Sequence, residues 1–260
     1  LVLGAILAAL LFFVGGAALR LLMGPISLGP FASVIEDALN HSVSGVVIRF
    51  DQAVLEWSRA EGKVNLIVLG TKVFDPDGHI IAQAPKADLD FDAAAMVQGH
   101  LNLKRFGLIG VQLTGVRSKE GAIHLGFGPE QDAPDLFQTI RNILNNSAAD
   151  GGSLESFAIR NARMAFRDEP TGLFIVSPDA NFTLDNKGRE LDVSLDSSVE
   201  VSGVPVRLTA KAVLRDDGSL DHGTFALKGL SLPALVQNST KFAVLTPYRL
   251  ISNVTANFTL

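Results

Sequence analysis

Between Phe157 and Leu195 apolar residues fall on every second position, and no other feature constrains the chain as tightly. The runs are Phe157 and Ile159, then Ala162, Met164 and Phe166, then Ala180, Phe182 and Leu184, then Leu191, Val193 and Leu195. Arg160, Arg163, Arg167, Asn181, Thr183, Asp192, Ser194 and Asp196 stand between them. Successive side chains of a strand point to opposite faces, so each run predicts a strand with one apolar and one wet face. Asp168-Glu169-Pro170-Thr171-Gly172 and Asp185-Asn186-Lys187-Gly188 supply the Gly, Asp and Asn of tight reversals. The expectation is an antiparallel meander. No long helical pattern follows to cover its apolar face, so something other than a helix layer must occupy it.

Composition narrows the partners. The chain of 260 residues is 47% hydrophobic and only 19% charged, against about 25% in ordinary soluble domains. Its net charge of −5 comes with scattered Lys and Arg, so nucleic acid is not an expected partner. There is no cysteine, hence no disulfide framework and no thiolate chemistry. Leu1 to Leu19 carries no charged side chain and, as a helix, spans about 28 Å, close to the roughly 30 Å hydrocarbon core. This predicts a membrane anchor over 1–23. A cleaved signal peptide is the alternative, with small residues at Gly16-Ala17-Ala18, but the apolar run outlasts a usual signal core and resumes after Arg20. The chain opens on Leu1 and closes inside a strand pattern, so it is expected to be a piece of something longer.

After Gly24-Pro25, Phe31, Val34, Ile35 and Leu39 recur at helical spacing behind Pro30, predicting a short cap helix ending near Asn40 whose stripe covers the end of a sheet. From Val46 the period becomes two. Strands are expected over 46–50, 53–57, 64–73, 79–83, 87–91, 101–106, 107–116 and 122–127, with a strong turn at Asp75-Pro76-Asp77-Gly78. A helical pattern over 135–145 and a linker over 145–152 precede the ladder, which continues over 199–201, 204–214 and 223–230. A short helix over 232–237 and a strand over 253–260 follow. The division is therefore 1–23 anchor, 24–150 cap helix and first sheet unit, 151–260 second unit.

The two units share a weak repeat. Leu103-Lys-Arg-Phe-Gly-Leu-Ile-Gly-Val-Gln-Leu113 aligns with Leu154-Glu-Ser-Phe-Ala-Ile-Arg-Asn-Ala-Arg-Met164, and Ala180-Asn-Phe-Thr-Leu184 recurs as Ala256-Asn-Phe-Thr-Leu260. A sheet that grows by repetition is expected.

No catalytic constellation stands out. His41, His79, His100, His124 and His222 lack metal-ligand spacing, and Asp75-Pro76-Asp77-Gly78 lacks the distal ligands of a calcium loop. Asp88, Asp90 and Asp92 read as the wet face of one strand, and Gly107, Gly110 and Gly115 as bends or bulges of a curved sheet. The Asn-x-Thr triplets at Asn181, Asn253 and Asn257 are explained by alternation without sugars.

Taken in order, the anchor, Gly24-Pro25-Ile26-Ser27-Leu28-Gly29-Pro30 with its helix, the Asp75-Pro76-Asp77-Gly78 turn, Ala84-Pro85-Lys86-Ala87-Asp88-Leu89, Met96-Val97-Gln98-Gly99 and Leu103-Lys104-Arg105-Phe106 resemble the AsmA-like family, particularly its large YhdP-type members. Phe157 to Asp168 with Thr171-Gly172 resembles that family's next strand unit. The resemblance implies an inner-membrane anchor, a periplasmic body of curved β-sheet forming an apolar groove, and a role in moving or balancing phospholipid between inner and outer membranes. It marks no catalytic residue, and no metal and no cofactor are expected. The expected fold is therefore mainly β, a membrane helix followed by a curved, mostly antiparallel repeating groove with a few short helices. Ile159, Met164, Phe166, Phe182, Leu184, Val193 and Leu195 are its expected lining. Expected partners are phospholipid, the inner membrane and proteins of either membrane. The competing expectation is a membrane-anchored envelope scaffold or assembly protein with a packed β-sandwich body.

Overall fold

The computed structural model describes residues 15–16, 20–43, 45–58, 63–76, 78, 80–92, 94–95, 98, 100–121, 123–127, 154–188, 190–215 and 219–259. Most of the expected anchor, the helix over 135–145, the linker over 145–152 and residues Asp77 and His79 lie outside them. Among the described residues no helix is long and apolar enough to cross a membrane.

The molecule is mainly β. Strand β1 (Ile26–Ser27), a 3-10 turn (Gly29–Phe31) and helix α1 (Ala32–Ser42) open it. Then come β2 (Val47–Arg49), β3 (Gln52–Ser58), β4 (Lys63–Phe74), β5 (Ile80–Phe91), β6 (Leu103–Ile109), β7 (Gln112–Arg117) and β8 (Ile123–Phe127). The second stretch holds β9 (Ser156–Asp168), β10 (Leu173–Asn186), β11 (Glu190–Val201), β12 (Val204–Arg215), β13 (Leu220–Ser231), helix α2 (Leu232–Asn238), a 3-10 turn (Thr240–Leu245) and β14 (Ile251–Thr259). Among the described residues 14 strands join one curved, mixed sheet in the order β1-β3-β4-β5-β6-β9-β10-β11-β12-β13-β14, with β2 beside β4 and β7 between β9 and β8. Its pairs are antiparallel except that β6 and β7, lying end to end, both run parallel to β9.

That parallel seam is where the sequence repeat closes on itself. Phe106 pairs with Phe157, Leu108 with Ile159 and Leu113 with Met164, the same correspondence that aligns the two segments by sequence. The Phe106 and Phe157 rings lie 6.0 Å apart at 53°, the tilted geometry aromatic pairs favour. Gly110 and Asn161 are matched too, and both are left-handed, at φ 75° and 51°. Glycine and asparagine tolerate that region best. The turn they make bends both strands together: the Gly110 N–H donates to the Arg160 carbonyl at 2.9 Å and the Arg163 N–H to the Val111 carbonyl at 2.9 Å. The strands before and after this seam thus belong to one sheet.

Several expected boundaries move for local reasons. Phe157–Ile159 and Ala162–Phe166 are one strand, not two, because the extra residue around Asn161 flips the alternation and returns both runs to one face. A second irregularity between Ser177 and Ala180, containing Pro178, does the same for β10. Strand β5 is likewise continuous through Pro85, whose missing N–H falls beyond Lys86–Ile109, the last pair with β6. The break expected between Phe106 and Gly107 lies instead at Gly110–Val111. Gly107 itself is no bend: a Cβ there would overlap the Asp88 carboxylate, which reaches across it to Arg160, 2.8 Å away. Asp88 is accordingly 8% exposed and not on a wet face.

Two cores result. The larger joins Ile35 and Leu39 of α1 to Ile48, Val68, Leu103, Leu108, Ile159 and Leu184 across the first strands and into β10. Asn40 docks α1 as a strand would, accepting from the Ile48 N–H at 2.7 Å and donating to its carbonyl at 3.0 Å, while the Ser42 hydroxyl accepts from the Leu103 N–H at 3.3 Å. The cap stripe is split, for Ile35 (5%) and Leu39 (0%) are buried but Phe31 (58%) and Val34 (52%) face outward. The smaller core, Val199, Val201, Val206 and Ala234, lies under α2.

Candidate functional site

Cross-strand pairing carries one apolar face over the second half of the sheet. Phe182 faces Leu195, Leu195 faces Ala210, Ala210 faces Phe225 and Phe225 faces Ala256. The neighbouring row is Leu184, Val193, Ala212, Gly223 and Phe258. Gly223 has a steric reason, since a Cβ there would overlap the Phe258 ring lying across it. Toward the first half both rows are sealed: Ile159, opposite Phe182, is 1% exposed, and Leu184 is 0% exposed. Beyond them Val193, Leu195, Ala210, Ala212 and Phe225 are half-buried, Gly223 is buried beneath the Phe258 ring, and Ala256 and Phe258, the latter at 39%, are exposed on β14.

Of the residues singled out by alternation, Ile159 and Leu184 are therefore core. Phe182, Val193 and Leu195 are half-buried on the open stretch. Met164 and Phe166 lie farther along the face, opposite Ser177 and Ile175 and beside Leu113 and Gly115 of β7, also half-buried. Ala210, Ala212, Phe225, Ala256 and Phe258 complete the face. Their alternation was visible in the sequence, but only register shows that they continue the rows of β10 and β11.

The ends of this face are structured. At one end the Ser231 hydroxyl caps α2 through the Ala234 N–H at 3.4 Å, and the Ser202 hydroxyl donates to the Ala234 carbonyl at 3.0 Å. The Ser239 hydroxyl donates to the Thr171 carbonyl, and Thr171 in turn bonds Asp168, which pairs with Arg117. Burial pushes the Asp168 carboxyl up, but the Thr171 hydroxyl and the Arg117 guanidinium outweigh it and hold it below the usual carboxylate range. α1 stands at the opposite end of the strands, beside the start of β6, whose Arg105 pairs with Ser156 and through it with Asp185 near the end of β10.

The other face of the same strands is polar. Asp196 pairs with Arg207, and Asp221 with His222 and Arg215, which in that order lower the Asp221 carboxyl. A shallow cavity of about 450 Å³ is lined there by Asp185, Asp192, Ser194, Lys211, His222 and Thr224 among others. Among the described residues no group of three or more His, Asp or Glu is placed to hold a metal ion. No family model, curated protein or solved structure matches the chain.

Proposed function

We propose that this chain is a non-enzymatic, membrane-anchored periplasmic protein that shields phospholipid acyl chains along its apolar sheet face, as part of phospholipid transport between inner and outer membranes. The observation that carries the reading is the row Phe182–Leu195–Ala210–Phe225–Ala256, apolar throughout, half-buried from Phe182 to Phe225 and exposed at Ala256. Each methylene withdrawn from water is worth about 0.8 kcal/mol, so the cost of leaving a bilayer falls in proportion to the length of acyl chain that the face covers. Residues 1–23 supply the inner-membrane anchor in this reading, and carbonate extraction of native membranes checks it: the chain stays in the pellet, and release into the supernatant counts against a retained span.

A photo-crosslinking residue at Leu195 or Phe225 tests the face. Phospholipid is captured there and not at Ser194 or Thr224, one position away on the polar face. Equal labelling of both pairs removes the sidedness on which the reading depends. Capture of protein alone at Leu195 favours the second reading, a non-transporting envelope scaffold, for which the sealed core around Ile159 and Leu184 speaks.

A further inference from the structure

Beyond α2 the chain presents large apolar side chains to water. Val244 is 77% exposed, Ile251 78%, Leu250 57% and Tyr248 55%. They are held out by an ordered loop. The Ser239 hydroxyl accepts from the Lys241 N–H at 3.3 Å, the Thr246 hydroxyl donates to the Ala243 carbonyl at 2.6 Å, the Tyr248 N–H to the Leu245 carbonyl at 2.9 Å, and the Leu232 N–H to the Leu250 carbonyl at 3.1 Å. Internal pairing of backbone groups is what a segment entering an apolar boundary requires.

Charge identifies the surface that fits. Of the chain's 27 Asp and Glu none lies beyond Asp221, whereas Lys228, Lys241 and Arg249 do, in a protein of net charge −5. Lys241 and Arg249 are exposed; Val244 and Tyr248 lie between them in the chain, and Leu250 and Ile251 follow Arg249 directly. Tyr248, the chain's single tyrosine, joins an apolar ring to a polar tip, the property that settles tyrosine at headgroup level. We propose that the loop from Lys241 to Ile251 docks on an anionic lipid bilayer. Val244, Leu250 and Ile251 enter the headgroup boundary while Lys241 and Arg249 meet lipid phosphates. An anionic bilayer offers apolar depth and negative charge over one continuous surface, which matches both halves of the loop. The contact does not depend on the acyl-chain reading of the sheet face.

The absence of cysteine makes the test direct. Single cysteines replacing Val244 or Ile251, and as control Lys187 in the exposed β10–β11 turn at the far end of the strands, carry an environment-sensitive fluorophore in the full chain. With vesicles of phosphatidylcholine and phosphatidylglycerol the emission at both loop sites shifts to the blue and brightens several-fold, with no change at Lys187. Phosphatidylcholine alone gives no shift. High salt reverses the response in the otherwise unchanged protein, since exposed charge contacts are screened, and the K241E/R249E double variant lowers the vesicle affinity of the loop by roughly tenfold or more. An unchanged loop signal, an equal response at Lys187, or a response indifferent to salt and lipid charge overturns the proposal. So does a blue shift without vesicles that fades on dilution, which would assign the loop to a second copy of the chain.

Discussion

At Gly107 one absent methyl group decides how the polar side of the sheet is wired. The Asp88 carboxylate passes over this position to reach Arg160, so Gly107→Ala must displace a carboxylate already paired and nearly buried. The expected loss is about 1–3 kcal/mol, read from urea midpoints at constant slope. In an Asp88→Ala background the same substitution is close to neutral; an equal loss in both backgrounds would remove Asp88 as the cause. Asp168 contributes to the acid limb of stability. Its folded pKa lies below its ordinary value of 3.8, so its contribution is fully present above that value and is lost as pH falls through the lower folded one. Melting temperatures of the parent therefore fall as pH is lowered from about 4 toward 2. The part of that fall due to Asp168 is missing in Asp168→Asn, which starts less stable and loses less; parallel curves would show that this carboxylate does not contribute.

Among the elements, α1 gives the sharpest contrast, because neighbouring apolar residues of one predicted stripe have opposite fates. Ile35 is 5% exposed in the main core and Val34 52% exposed. Ile35→Asp buries an unpaired charge and is expected to destabilise by about 3 kcal/mol or more, whereas Val34→Asp leaves the urea midpoint within the range of ordinary surface changes; equal effects would mean that the stripe packs as a whole. The helix was legible from its period, but which half of its stripe is buried was not, since that depends on where Asn40 and Ser42 anchor it to β2 and β6. Strand existence was legible for a similar reason, period two surviving wherever one face is apolar. Continuity was not, because at Asn161 and near Pro178 a local irregularity shifts the phase without ending the strand. In the candidate site, alternation identified the apolar face of β10 and β11. It could not tell sealed Leu184 from half-buried Leu195, a difference set by strands and a helix far away in sequence.

For the molecule as a whole, the decisive feature is the seam at which β9 lies parallel to β6 and β7. One buried cluster runs from Leu39 through Phe106 and Leu108 to Phe157, Ile159 and Leu184, on strands from either side of the predicted linker over 145–152. Repeat copies that pair in register share one environment, and this accounts for their resemblance: Leu103 and Leu154, Phe106 and Phe157, Leu108 and Ile159 are all at most 4% exposed. Residues 154–259 expressed alone would therefore expose Phe157 and Ile159 and an unpaired strand edge, a combination that favours aggregation. We expect this piece to bind a hydrophobic dye, to lack a cooperative melt and to associate. Co-expression with residues 20–127 should restore cooperative unfolding, because the seam is built from side chains and backbone bonds that need no covalent link. A cooperative, monomeric melt of 154–259 alone would show instead that β10 to β14 with α2 suffice for folding, and that the seam joins two units already formed.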